Sequence, residues 1–417
     1  MYQIVSTLGL IYALAVDVGP NNAVNVFEDD VANLENPSVL YLEDSSGELE
    51  LEDILKESAW VPLSKAETNQ GLTESSFWLK FEIHNASIRT INRWITVGNE
   101  VPYNIQFWLR SNGQTLQHYQ GGSIVDFDSR ILKTSLEGMP TQLAPNETLA
   151  VYIRVANLRT TDLTVRLLPL DSLMKFERRR TLEAGIFIGA MVLIIIYNLV
   201  LGFRQSLLFL IHAGFSTTIL FLFTRPNGLT FEYLWPNTGE LDATSGPIIA
   251  SVSMLTALLF LISYFNLEKV TPRLSIFLKV CAVLPLLAVV FLHLLPHQVI
   301  ASSLTKILAV EALIWMGVTL WAIQKRMDGS LEYAANWGLF IICGVVYASW
   351  LQGYSSNFYA AGYIIKLSAI VQAAGLSYSA RRRIQRSQEL GLETKQTIET
   401  VRKIQQVNQL NDLLHSL

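Results

Sequence analysis

Glu311 and Lys366 are the ionisable residues that most need an explanation, because each falls deep within a run of apolar residues. A charge at the centre of a bilayer costs roughly 2.5–3.5 kcal/mol on insertion scales, so such a residue needs a partner, a proton or a task. Glu311 lies near the middle of the stretch 300–323, with Lys306 on the same stretch. Lys366 lies about eight residues into 358–380, roughly 12 Å deep at 1.5 Å per residue. The expected chemistry is an intramembrane polar relay in which Glu311 pairs with Lys366 or, less well, with Lys306. A protonated, hydrogen-bonded Glu311 is the alternative. A lysine in a seventh apolar stretch also raises Schiff-base attachment of retinal. That chemistry needs a buried carboxylate counter-ion, and the third stretch, where light-driven proteins carry theirs, has neither Asp nor Glu. No cofactor is therefore expected.

The remaining candidates are weaker. Lys279 lies close enough to the end of its stretch to reach the interface by its own length. His212 and His293 read as interfacial or hydrogen-bonded residues and not as metal ligands. His415 lacks the following acidic residue of a phosphoacceptor site. Cys281 and Cys343 both fall in apolar stretches, so the N-terminal part folds without disulfides. No catalytic constellation, metal set or nucleic-acid-binding patch is apparent.

A second group of candidates is aromatic. Trp60, Trp78, Trp94, Trp108, Tyr103 and Tyr119 lie in the N-terminal part, where aromatic faces could stack on sugar rings. Aromatics are also preferred strand and core residues, which is the simpler reading of each. Trp78 and Trp108 point away from the apolar face of their strands, and with Tyr103 they are the candidate ligand contacts.

The elements that must position these residues follow from periodicity. Phe77, Leu79, Phe81 and Ile83 alternate with Trp78, Lys80 and Glu82, the period of a half-buried strand. Tyr103, Ile105, Phe107 and Leu109 repeat it, as do Val151, Ile153 and Val155, and then Leu163, Val165 and Leu167. Turn residues at Ser111, Asn112 and Gly113, at Gly121 and Gly122, and at Pro145 and Asn146 separate the strands. An all-β sandwich or jelly roll over 20–172 is expected.

Beyond it, seven apolar stretches can each cross a bilayer: 181–203, 205–224, 246–266, 274–294, 300–323, 333–353 and 358–380. The chain is thus a multidomain membrane protein, with 51% hydrophobic and 16% charged residues and a mean hydropathy of +0.33. The 381–417 tail is a helix, with Ile398, Val401, Ile404, Val407, Leu410, Leu414 and Leu417 at spacings of three and four. Asn408 and Asn411 interrupt the seam, so the spacing suggests a coiled coil, and with it a homodimer, without establishing one. Residues 1–16 have the apolar core and the small-x-small end, Ala13 to Ala15, of a signal peptide, although no Lys or Arg precedes them.

With the sandwich outside, the inner loops and the exit of the seventh stretch carry nine Lys and Arg: Arg204, Lys269, Arg273, Lys325, Arg326, Arg381, Arg382, Arg383 and Arg386. Five would lie outside, Lys175, Arg178, Arg179, Arg180 and Arg225, so the positive-inside rule places the tail in the cytoplasm. The outer loop 225–245 is long and contains Phe231, Tyr233 and Trp235. These are expected to rest at the membrane interface or to dock the loop against the sandwich.

Several of these residues carry a family resemblance. Gly71, Thr73, Phe77, Trp78, Leu79, Lys80 and Phe81, followed by His84 and Asn85, resemble the signature of an extracellular β module of bacterial sensors. Gly185, Gly189, Tyr197, Asn198, Leu199 and Phe203, the run from Leu208 to His212, then Gly228 and the run from Tyr233 to Pro236, are similar to the seven-transmembrane receptors with diverse intracellular signalling modules (7TMR-DISM). The resemblance covers about residues 60–384. It implies a receptor of the bacterial cytoplasmic membrane, with a periplasmic, carbohydrate-binding-like jelly roll, a small-molecule or sugar ligand, and a cytoplasmic effector such as a kinase, cyclase or phosphatase. No glycine-rich ATP lid, cyclase motif or acidic metal pair follows the seventh stretch. The output is therefore expected in a further module or a partner, and this chain is expected not to be an enzyme. A transporter, or a membrane-anchored binding scaffold, is the competing class; the apparent continuity of the stretches speaks against the first.

Overall fold

The computed structural model describes residues 23–27, 34–35, 38–134, 136–290, 294–295, 297–355 and 358–415. The expected signal peptide and His293 lie outside the described residues.

Alternation of apolar and polar side chains gives the N-terminal part its strands: β1 (Val24–Val26), β2 (Leu34–Glu35), β3 (Leu40–Asp44), β4 (Val61–Pro62), β5 (Asn69–Leu72), β6 (Ser76–Asn85) and β7 (Ile91–Val97). There follow β8 (Asn104–Ser111), β9 (Gln114–Gly121), β10 (Glu137–Leu143), β11 (Thr148–Ala156), β12 (Thr160–Asp162) and β13 (Val165–Leu168). One sheet runs β4-β3-β6-β11-β8-β9, with β1 parallel to β6; a second runs β10-β7-β13-β2; β12 and β5 form a separate pair. The β8–β9 hairpin turns at Asn112 and Gly113, both at positive φ, as a tight hairpin requires.

The inward residues of β6, β8 and β11, including Phe77, Leu79, Ile105, Phe107, Val151 and Ile153, meet Ile91, Ile95, Met139, Val165 and Leu167 of the second sheet. This is the expected sandwich. Its other large face is partly covered: a helical turn at Leu51–Ile54 lays Leu51 and Ile54 over Trp78 and Tyr152, with Leu42, Leu49, Trp60 and Trp108 around them.

Seven long helices follow: α1 (Leu170–Arg204), α2 (Leu207–Thr224), α3 (Gly239–Tyr264), α4 (Pro272–Val290), α5 (His297–Gln324), α6 (Ser330–Leu351) and α7 (Phe358–His415). Six are long and apolar enough to cross a membrane. The exception, α4, carries Arg273 and Lys279 and is described as far as Val290. Outward-facing side chains such as Leu182, Leu193, Ile276, Leu313, Ile342 and Leu367 are largely exposed, which makes an apolar belt suited to lipid. The interior is aromatic: Phe215, Phe260, Tyr264, Phe265, Trp315, Tyr333 and Trp337 pack on one another.

Three sequence expectations change. The first helix begins at Leu170, not near 181, because its first turns pack in water against the sandwich and not in lipid. Leu173 is buried there with Leu132, Leu136 and Leu168, beside Trp94, Met174 and Phe176. The stretch 225–245 is not a plain loop. It holds a turn at Arg225–Asn227, a short helix at Leu229–Tyr233 and the first turns of α3. The tail is not a separate helix, since α7 passes from the seventh membrane stretch to His415 unbroken, 58 residues or about 87 Å.

Candidate functional site

Among the described residues, those that sandwich and bundle share form an elaborated polar site. Its centre is Asp242, in the first turn of α3 and buried. One carboxylate oxygen pairs with the guanidinium of Arg159, from the β11–β12 turn. The other accepts from Trp235 Nε1 at 3.1 Å and Thr230 Oγ1 at 3.5 Å. The Asp242 carbonyl accepts from Arg225 Nη2 and from Ser245 Oγ. A buried carboxylate is tolerated when its lone pairs are filled in this way, and here four of the five donors come from the 225–245 segment and the fifth from the sandwich.

Glu100 is buried close by, in the turn between β7 and β8. Burial pushes its carboxyl up to about 7, against the opposing pull of Arg159, Arg225 and Arg180. Arg180 is itself buried where α1 leaves the sandwich, and it lies over the ring of Phe176 at 5.7 Å, as Arg166 of β13 does at 5.6 Å.

A second contact joins the β5–β12 pair to the outer end of α6. Asn69 Nδ2 donates to the carbonyls of Trp350 at 2.7 Å and Ser355 at 2.6 Å, while Thr160 Oγ1 donates to the Leu351 carbonyl at 3.2 Å. The two backbones touch at Gly71 and Gly353. Both have positive φ, and a β-carbon on Gly71 would come within 2.7 Å of the Gln352 backbone. Glycine is required on both counts. A third contact sets the Phe127 ring edge-on to Phe231 at 5.9 Å, with Phe127 N–H donating to the Pro236 carbonyl at 2.9 Å. Docking of the outer segment on the sandwich is thus the arrangement found.

From this junction polar contacts lead down α7. Lys366 Nζ donates to Asn227 Oδ1 at 2.9 Å, at the foot of the docked segment. Below it His212 Nε2 bonds the Ala373 carbonyl at 3.0 Å, and Asn198 Nδ2 donates to Ser377 Oγ at 2.8 Å. At the far end Arg383 lies over the rings of Tyr264 and Phe265, at 5.1 and 6.0 Å, and Arg386 pairs with Asp328 at 3.1 Å.

The expected Glu311–Lys366 pair does not form. Lys366 serves Asn227 instead; Glu311 is buried on α5 with Oε1 unbonded and makes no ion pair among the described residues, while Lys306 is exposed. Depth in the membrane told how far in each residue lies, but not which way it faces. Lys279 reaches Glu268 at 2.6 Å outside its stretch, and His212 is a hydrogen-bonded core residue. Among the described residues no group of His, Cys, Asp and Glu could hold a metal.

The aromatic candidates are brought partly together. Trp78 and Trp108 stack at 5.1 Å on the outer face of the large sheet, and His118 stacks on Trp108 at 4.9 Å. Trp78 is fully buried beneath Leu51 and Ile54, Trp108 is half-buried and His118 exposed. Tyr103, half-buried, stands apart at the start of the turn into β8.

Two family descriptions match the chain, in this order: 7TMR-DISM extracellular 2 over residues 36–169 and 7TM diverse intracellular signalling over residues 180–382. The chain belongs to the 7TMR-DISM receptors. Its second match takes in the seven apolar stretches, leaving out the start of α1 and the tail of α7, and its first begins well before the motif at Gly71. The interval between the matches is the sandwich-packed start of α1. Comparison with individual curated proteins finds no match. The junction residues Asp242, Arg159, Glu100 and Asn69 were not singled out by the sequence. The signals available were an acidic residue close to an apolar stretch and two Gly-containing turns, each common in any membrane protein.

Proposed function

We propose that this 7TMR-DISM receptor binds a small extracytoplasmic ligand, of the sugar class, on the outer face of its large sheet. The event then passes through the Asp242 junction to α7 and so to a cytoplasmic output module. The carrying observation is continuity: the Leu168–Pro169 step joins β13 to α1 without a linker, and α7 runs as one helix from the junction to the tail. Elements joined in this way cannot move independently, so a shift of the sandwich biases the bundle between arrangements. The charge bias of the short loops supports a cytoplasmic tail in a bacterial inner membrane. Exposed Ile398, Val401 and Ile404 on the tail support pairing of two receptors. We assign no reaction to the residues of this chain; catalysis belongs to the output module.

The ligand reading rests on Trp108. Its ring is covered by Trp78 on one side, and on the other by His118, which is exposed, meets Gln106 Oε1 at 3.4 Å and would give way to a pyranose face. The test is a thermal-shift screen of the full chain in nanodiscs against neutral sugars. A true ligand at a hundred times its Kd stabilises by about 2.7 kcal/mol, and Trp108→Ala abolishes that shift, read against the variant's own unliganded transition, which is itself lowered by the lost packing on Trp78. A sugar shift that survives Trp108→Ala moves the ligand site elsewhere, and a shift that leaves crosslinking at Val401→Cys unchanged breaks the relay.

A further inference from the structure

At the end of the bundle remote from the sandwich, α1 and α7 leave between them an open groove of about 490 Å³, lined by Leu193, Ile194, Tyr197, Ala374, Arg381 and Arg382 among others. Its walls are apolar and its mouth is cationic. Leu193 is 70% exposed, and in a membrane a side chain so placed meets lipid.

Of the two charges at the mouth, Arg381 differs from the other basic residues nearby. Arg386 has Asp328, and Arg383 has the Tyr264 and Phe265 rings. Arg382 is 3.7 Å from Glu332. Arg381 is held by a single neutral contact, Nη1 donating to Tyr197 Oη at 3.1 Å, and has no acidic partner among the described residues. A guanidinium in that position, with a second beside it, suits a phosphate monoanion at headgroup depth. The apolar walls below suit an acyl chain.

We propose that this groove seats one anionic phospholipid, its phosphate held by Arg381 and Arg382 and an acyl chain laid along Leu193, Ile194 and Ala374. The seat lies on the α1–α7 seam, where Asn198 bonds Ser377, so an occupied groove braces α7 as it leaves the membrane. This goes beyond the relay proposed above, and lipid retention can be measured without any ligand or output.

The test uses the full chain reconstituted with mixtures of phosphatidylglycerol and phosphatidylcholine, with native mass spectrometry counting the lipid that survives transfer to detergent. The expected result is one retained phosphatidylglycerol in preference to phosphatidylcholine. Arg381→Gln with Arg382→Gln loses about tenfold or more in retention. Ala374→Trp, which fills the exposed wall and keeps both arginines, loses it too. Should the double variant misfold or invert, Ala374→Trp alone decides. Equal retention of the two lipids overturns the proposal. So does undiminished retention in Ala374→Trp, which would mean diffuse attraction to a basic patch. So does full displacement of the lipid by soluble glycerol phosphate, which would mean a headgroup-only anion site.

Discussion

Glu100 gives the junction a pH dependence of definite sign. Docked, it keeps its proton up to about pH 7, whereas the ordinary value is 4.5. The docked form therefore binds the extra proton between these limits, and docking weakens as pH rises from about 4.5 to about 7, then levels off. The effect is at most about 3 kcal/mol, the value reached when undocking returns Glu100 fully to water. Protease resistance of the 225–245 segment, followed across this range, should fall with rising pH, and Glu100→Gln should flatten the profile.

Gly71 offers a test of a different kind. Gly71→Ala drives a β-carbon into the Gln352 backbone, whereas Gly113→Ala, also at positive φ, meets nothing within 4 Å. The second change costs only the conformational strain, about 1–2 kcal/mol. The first should cost more and release β5 from α6, seen as faster hydrogen exchange at both. At this scale the sequence was least legible. The alternation that sets Trp78 on the outer face was readable, but its cover, Leu51 and Ile54, comes from a distant one-turn helix. The close approach that requires Gly71 is made to a residue nearly 300 positions away. Lys366 was visible as an intramembrane cation, but its partner Asn227 is neutral and lies outside the apolar stretches.

Elements were far more legible, because periodicity is a local property. The strands at Phe77, Ile105 and Val151 stand in the fold where the pattern puts them, and so do the helices of the apolar stretches, the fourth as far as Val290. What the pattern missed is helix that hydropathy cannot see: the first turns of α1, whose Arg178, Arg179 and Arg180 look like a loop, and the unbroken passage of α7 through Arg381–Arg383. That passage has a consequence. One alanine inserted after Gln388 turns everything below it by about 100° while leaving the membrane part untouched, and seven inserted residues restore the facing to within about 20°. Disulfide crosslinking between receptors at Val401→Cys should be lost with one residue and recovered with seven. Insensitivity to both would mean that the tail does not transmit orientation.

At the scale of the whole molecule, the order of sandwich, bundle and tail was readable from composition alone, since lipid and water select such different residues. The coupling between them was not, because it is made by single contacts between segments distant in sequence. Asp242 carries an ion pair among these contacts, to Arg159, and ties it to the 225–245 segment. Asp242→Asn leaves the half-buried Arg159 without its counter-charge, a loss of up to about 3 kcal/mol, and keeps the acceptor for Trp235. The most direct measurement is hydrogen exchange along the full chain in nanodiscs, Asp242→Asn against the unaltered receptor. Mechanical wiring predicts altered protection at the junction and also in residues 384–406 of α7, on the far side of the membrane. A change confined to the sandwich and to residues 225–245, with the tail unmoved, would contradict it.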